Sequence, residues 1–214
     1  DTRIPIQQQA VRNLGALFDK SMSMSVQVES LTRSANRHLS DIRKIRQLLT
    51  PECLKKLVVS TVLSRLDYCN SLLYGINTSL VRKMQLVQNA AARMVAKVKK
   101  ADHITPVRKE LHWLPIAERI EFKILLLTFK ALHGQAPRYL TELLECCTGS
   151  RNEMNVTLQV PKTKSATYGD KAFKKAGSKL CNALPLEIRK STKLSEFRRQ
   201  LKTHLFNKAY KCDN

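Results

Sequence analysis

Residues 26–50 read VQVESLTRSANRHLSDIRKIRQLLT, and the period of this stretch decides the fold. Leu31, Ala35, Leu39, Ile42, Ile45 and Leu49 return every three or four residues, the interval that lays side chains along one stripe of an α-helix. Arg33, Arg37, Arg43, Lys44 and Arg46 fall between them. The spacing predicts a single helix offering a core-facing stripe and a cationic one.

The same pattern continues on both sides. Thr50-Pro51 is a helix start, because proline at the first helical position gives up only an N–H that would have no partner there. That second helix is expected to reach about Tyr74 and stop at Gly75. A third starts near Thr78 or Ser79 and runs through Met84, Val87, Ala91, Met94, Val95 and Val98. It ends among Lys97, Lys99 and Lys100, where cations suit the negative end of the helix dipole. Thr105-Pro106 predicts a short helix to about His112, Ile116–His133 a strongly apolar one stopped at Gly134, and Arg138–Cys146 another. The polar, non-periodic stretch Gly149–Thr167, with one strand-like piece at Val156–Val160, reads as a linker. Beyond it, Gly169–Leu184 and Leu194–Tyr210 read as two basic helices separated by Leu184-Pro185. Upstream, Val11–Asp19 reads as one strand ending in a polar turn. The expected class is mostly α: a helical bundle with a short N-terminal strand and a small basic helical C-terminal module.

Charge is the strongest compositional signal. The chain has 38 Lys and Arg against 17 Asp and Glu, a formal net charge of +21. Residues 1–101 hold 17 bases and six acids, 102–148 six of each, and 149–214 fifteen against five. Two basic flanks around a neutral apolar middle point to a polyanionic partner. Three strips are candidate nucleic-acid contacts: Arg33, Arg37, Arg43, Lys44 and Arg46; Lys97, Lys99 and Lys100; and Lys171, Lys174, Lys175, Arg198, Arg199 and Lys202. Such side chains bind phosphates by releasing counterions, with little sequence preference. Aromatic stacking platforms are poorly supported: only Tyr68, Tyr74, Trp113, Tyr139 and Tyr168 qualify, and Trp113 beside Leu111 and Leu114 reads as a core anchor.

Reactive groups are absent as patterns. A polymerase or nuclease needs carboxylates paired to hold divalent metal, and no Asp-Asp pair occurs. Glu118, Glu121 and Lys123 superficially resemble a nuclease cluster, but they lie on the polar side of an apolar helix, where charges are ordinarily solvated. The five histidines show no ligand spacing, and no phosphate-cradling glycine loop appears. The six cysteines form no CxxC pair and read as reduced thiols of an intracellular protein, nuclear or cytoplasmic. No apolar run approaches the ~20 residues of a membrane span. An opening at Asp1 rather than Met fits a segment of a longer polypeptide.

Several ordered strings resemble one family. Leu66-Asp67-Tyr68-Cys69-Asn70-Ser71-Leu72-Leu73-Tyr74-Gly75, Leu86-Val87-Gln88-Asn89-Ala90-Ala91-Ala92-Arg93, Asp102-His103-Ile104-Thr105-Pro106 and Leu111-His112-Trp113-Leu114-Pro115 are similar to segments of jockey-like, LINE-type non-LTR retrotransposon reverse transcriptases. Phe122–Leu132 and Leu201-Lys202-Thr203-His204-Leu205-Phe206 continue the likeness in the same order, so that it covers nearly the whole chain. The resemblance implies a position after the polymerase palm, with Leu14–Asp19 as the palm's closing strand and the downstream helices as a thumb along the template–primer duplex. It implies four parts: 1–24 the end of the palm, 25–148 a helical thumb-like domain, 149–168 a linker and 169–214 a basic helical module. The metal-binding aspartates and an endonuclease domain would lie upstream. No catalytic residue, metal or cofactor is therefore expected in this chain, Mg²⁺ belonging to the missing palm. Gly177-Ser178 and Cys181 stand where the pattern has an Ala-Pro pair and a tryptophan, which would loosen the C-terminal module.

The expected partners are RNA or an RNA–DNA hybrid together with the upstream palm and endonuclease domains, with no membrane and no small-molecule substrate. The competing reading is a non-catalytic, retroelement-derived helical module that packs on a protein, its basic faces merely solvated.

Overall fold

The structure, a computed structural model, describes residues 10–146, 157–165 and 168–210. It is mostly helical, with a single two-stranded sheet among the described residues. The chain divides into two compact units, residues 1–116 and 117–214.

The first unit opens on an antiparallel hairpin, β1 (Val11–Asn13) and β2 (Ala16–Phe18), with Val11 opposite Phe18. The run Val11–Asp19 is thus two short strands rather than one. Leu14 and Gly15 reverse the chain at φ 46° and 85°. Glycine suits that conformation, and a Cβ at Gly15 would also meet the Tyr68 hydroxyl at 3.2 Å, an oxygen that itself donates to the Leu14 carbonyl at 2.6 Å. Asp19 then sets the next element. Its carboxylate accepts from Ser21 Oγ, Ser23 Oγ and the N–H groups of Ser23 and Met24 at 2.6–3.1 Å. Met24 precedes the helix in the left-handed region and supplies no side-chain cap; Asp19 instead ties down the turn that leads into it, and Ser23 Oγ accepts the Ser25 N–H at 3.2 Å. Burial alone would raise the Asp19 pKa, but these hydrogen bonds outweigh it and hold the group at about 2.

Helix α1 (Ser25–Ile45) buries Val28, Ala35, Leu39 and Ile42, as its period requires, while Ile45 is exposed. It packs against α4 (Thr78–Ala96). Between them the predicted second helix is broken into pieces: α2 (Pro51–Val58), a π-helical turn (Val59–Leu63), α3 (Ser64–Asp67) and a 3-10 turn (Asn70–Leu73). Thr50 caps α2 by accepting from Cys53 N–H, as Thr50-Pro51 implies. Ser60 and Thr61 both donate to the Leu57 carbonyl, at 3.1 and 2.7 Å, drawing that acceptor out of the regular ladder. The wider turn lets the adjacent Val62 and Leu63 both point inward. Gly75, at φ 67°, closes the segment as expected.

Helix α4 carries an unusual polar core. Gln88, fully buried, donates to the Leu114 carbonyl at 2.8 Å. Gln85 accepts the Ile116 N–H at 3.0 Å and donates to Gln88 and Asn89. These amides satisfy the backbone of the Leu114–Ile116 segment, which would otherwise be buried without partners. Helix α5 (Ile104–Glu110) begins one residue before Thr105, with Pro106 in the first turn, where its missing N–H has no intrahelical role. Trp113 is buried, as the sequence suggests.

In the second unit, α6 (Ile116–Leu132) ends before Gly134 at φ 66°. The helix expected from Arg138 to Cys146 is only one turn, α7 (Arg138–Thr141). The C-terminal helices are α8 (Phe173–Asn182), α9 (Leu186–Arg189) and α10 (Leu194–Tyr210). The unit boundary differs from the partition at 148–149 that the sequence suggests, because α6 buries its side chains among the C-terminal helices. Phe129 stacks on Phe197 with ring centroids 4.3 Å apart, and Lys208 pairs with Glu121 at 2.8 Å. The expected linker is tied down where it is described. Leu158 is buried, bridges Cys146, and gives its N–H and C=O to the Asn182 side chain at 2.9 and 2.8 Å. Val156 lies outside the described residues. At Gly177 a Cβ would lie 2.7 Å from Thr128 Oγ1, so glycine permits a close approach of α8 to α6.

Two outcomes follow. Asp19→Ala destabilises the chain by about 1–2 kcal/mol near neutral pH, the scale of hydrogen bonds to a charged group at a partly exposed turn. Because the folded pKa is depressed, Asp19 contributes fully above its ordinary value of 3.8 and loses that contribution as pH falls through about 2. Urea titrations of variant and parent should therefore converge across that interval, and a gap independent of pH refutes the assignment. Gly177→Ala costs about 1–3 kcal/mol through overpacking, and Thr128→Ala in the same chain recovers part of it. Strict additivity in that double-mutant cycle would show that Thr128 is not the obstacle.

Candidate nucleic-acid interface

Arg33, Arg37 and Lys44 share one outward arc of α1, opposite the buried stripe, at the 100° per residue of a helix, and all are exposed. Arg43 lies to one side of that arc and is also exposed. Lys44 contacts Asp41 at 3.1 Å, an exposed pair that holds it weakly.

Helices α1 and α4 run in the same direction. Lys83 lies 3.8 Å from Glu29 near their beginnings, and their ends meet around one cleft. This cleft of about 340 Å³ is lined by Arg46 and Gln47 after α1, Leu54 of α2, Arg93 and Met94 of α4, and Lys97, Val98 and Lys99 beyond it. Arg46 of the first cation strip and Lys97 and Lys99 of the second, some fifty residues apart in sequence, thereby share one cleft. Lys100 is exposed nearby in the chain and does not line the cleft.

Four cations surround the cleft, and no carboxylate lines it. Arg93 was not an expected site residue, yet it is the most enclosed of the four. Its Nη2 donates to the Asp102 carbonyl at 3.2 Å, while its Nε is shielded from solvent without a hydrogen-bond partner. The signal that could have found it is its place one turn before Lys97 on the same face. The Asp102 carboxylate accepts the Lys99 N–H at 2.7 Å and is the nearest acid on this loop.

The third strip does not form one surface. Lys174 pairs with Glu145 at 2.5 Å, and Lys175 with Asp170 at 2.5 Å and with Thr163. Hydrogen bonds from Lys175 and Thr163 lower the Asp170 pKa. These lysines brace the segment before α8 rather than face solvent freely, and Lys171 is half-buried. Arg198, Arg199 and Lys202 are exposed and share one arc of α10, away from Phe197, Leu201 and Leu205.

The second unit has its own cleft, of about 380 Å³, walled by Leu125, Phe129, Cys181 and Phe197 with Arg189 and Lys190. Both faces of Phe129 are covered, by His133 at 3.9 Å and Phe197 at 4.3 Å, so it offers no ring face for a base. Burial raises the Cys181 thiol to about 11, which keeps it protonated. Glu121 is engaged by Lys208, and among the described residues no three His, Cys, Asp or Glu side chains gather as a metal set. No helix among the described residues is long and apolar enough to cross a membrane. Compared with protein-family models, curated proteins and solved structures, the chain matches none.

Proposed function

We propose that this chain is a thumb-like, nucleic-acid-binding segment of a non-LTR retrotransposon reverse transcriptase, gripping template RNA or an RNA–DNA hybrid without polymerase chemistry of its own. The family assignment rests on the ordered strings described above. The binding assignment rests on one observation: Arg46 and the pair Lys97 and Lys99, distant in sequence, converge with Arg93 on a cleft that no carboxylate lines. In this reading Arg33, Arg37 and Lys44 follow a strand's phosphates along the outward face of α1, while the cleft and the arc of Arg198, Arg199 and Lys202 are separate contacts. Mg²⁺ and the catalytic aspartates belong to the upstream palm, and the setting is intracellular.

The competing reading, a helical module that docks on a protein, is favoured by Leu14 and Leu48, which are 86 % and 85 % exposed. Salt separates the two. If phosphates are the ligand, log K for an RNA strand should fall linearly with log salt by about 0.7 per phosphate contacted, and for a duplex by about 0.9. Arg33→Gln with Arg37→Gln should weaken binding to all sequences alike and flatten the slope by about 1.4 for a strand and about 1.8 for a duplex. Binding that is absent at low salt, or a slope these variants leave unchanged, refutes the proposal in favour of the docking module. Primer extension by the isolated chain with template and Mg²⁺ should give no product, and synthesis would overturn the assignment of chemistry to the palm.

A further inference from the structure

Resting on the nucleic-acid reading, we infer that the cleft at the ends of α1 and α4 is a seat for a phosphorylated strand end, a terminal nucleotide carrying a phosphomonoester, rather than one more contact to an internal phosphodiester. The charge count argues for it. Arg46, Arg93, Lys97 and Lys99 bring four positive charges to one concavity. The negative ends of two helix dipoles offset about one charge in total. Asp102, held at the Lys99 N–H, offsets at most another. A surplus of about two remains. An internal phosphodiester has a single charge and leaves half of it unmatched. A phosphomonoester has roughly −1.5 to −2 near neutral pH and three acceptor oxygens, enough to reach several cations at once.

The shape argues in the same direction. The lining of the cleft combines its cations with three apolar side chains, Leu54, Met94 and Val98. At about 340 Å³ it falls in the range of small-ligand sites and has room for a sugar and base against the apolar part with a phosphate on the cations. The shielded, unpartnered Nε of Arg93 supplies a donor that the fold itself leaves unused. Buried polar groups are normally satisfied, so this unpartnered donor on a cleft-lining arginine is one that a ligand oxygen would satisfy once the guanidinium turns toward it.

Fluorescence anisotropy of the full chain with one RNA strand, prepared with a 5′-phosphate, a 3′-phosphate or hydroxyls at both ends, tests the inference. A phosphorylated end should bind about tenfold tighter than the hydroxyl strand, the scale of one charge-assisted hydrogen bond. The arm that shows the gain identifies which end is taken. Arg93→Gln and Lys97→Gly should each bring the ratio to within about twofold of unity. Lys97→Gly is the safer variant, because Lys97 sits at φ 56°, a conformation glycine adopts freely, so its thermal midpoint should hold or rise. Equal affinity for all three strands overturns the end-phosphate seat and leaves nucleic-acid binding standing. Failure of every strand to bind overturns both. A preference that survives Arg93→Gln and Lys97→Gly places the site elsewhere and likewise overturns the inference.

Discussion

The parallel packing of α1 against α4 is the constraint from which the candidate site follows. Two helices laid side by side in the same direction bring like ends of their dipoles together, and each C-terminus has backbone carbonyls without intrahelical partners. Antiparallel neighbours would cancel that field. Here the ends of α1 and α4 share one cleft, and the cations Arg46, Arg93, Lys97 and Lys99 collect there. Part of their role is therefore structural. The dipoles account for about one charge of the four, and the remainder has no counterpart among the lining side chains.

The pairing is held in register by polar groups as well as by the apolar stripe. Gln85 and Gln88, on the string Leu86–Arg93 and the turn before it, hold the Leu114 carbonyl and the Ile116 N–H. An apolar replacement at Gln88 would leave the Leu114 carbonyl unsatisfied in a dry environment, at about 1–3 kcal/mol. The segment so fixed includes Trp113 and Leu114, both buried. One helix thus serves two purposes: its middle closes the core through amides, and its end presents cations.

Much of this was legible in the sequence, and what was not has identifiable physical causes. The period of 26–50 predicts α1 closely, and Gly75 and Gly134 mark true stops, because hydrophobic spacing and left-handed glycines act locally. The second helix is broken where the sequence predicts continuity, since the π turn at Val59–Leu63 coincides with two adjacent hydroxyls donating to one carbonyl, and spacing of apolar residues says nothing of that. The hairpin was hidden because Leu14 occupies a left-handed turn position that sequence preference gives to Asn or Gly. Leu158 falls in a stretch that reads as linker because its anchor, Asn182, is 24 residues away. Among site residues, the α1 strip could be read from helical phase alone. Arg93 could not be ranked, since its enclosure depends on the loop that returns through Asp102. Lys174 and Lys175 look like free cations until Glu145 and Asp170 are seen beside them.

The backbone at Lys97 bears on why this cleft is more than a by-product of helix capping. A residue in this left-handed position after a helix is commonly glycine, and a side chain with a Cβ costs roughly 1 kcal/mol there. Among the described residues six other than glycine have positive φ, and five of them are Leu14, Met22, Met24, Cys69 and His112, none of which lines the cleft. Lys97 does. A cation needed only to neutralise the end of α4 could sit in the last helical turn without strain, where Arg93 already is. A second cation four residues on, in a conformation its own backbone disfavours, gains nothing further from a dipole that falls off within one turn. Strain retained at a charged cleft is explained by what the charge faces, and what it faces here is a concavity with three other cations and no carboxylate in its lining.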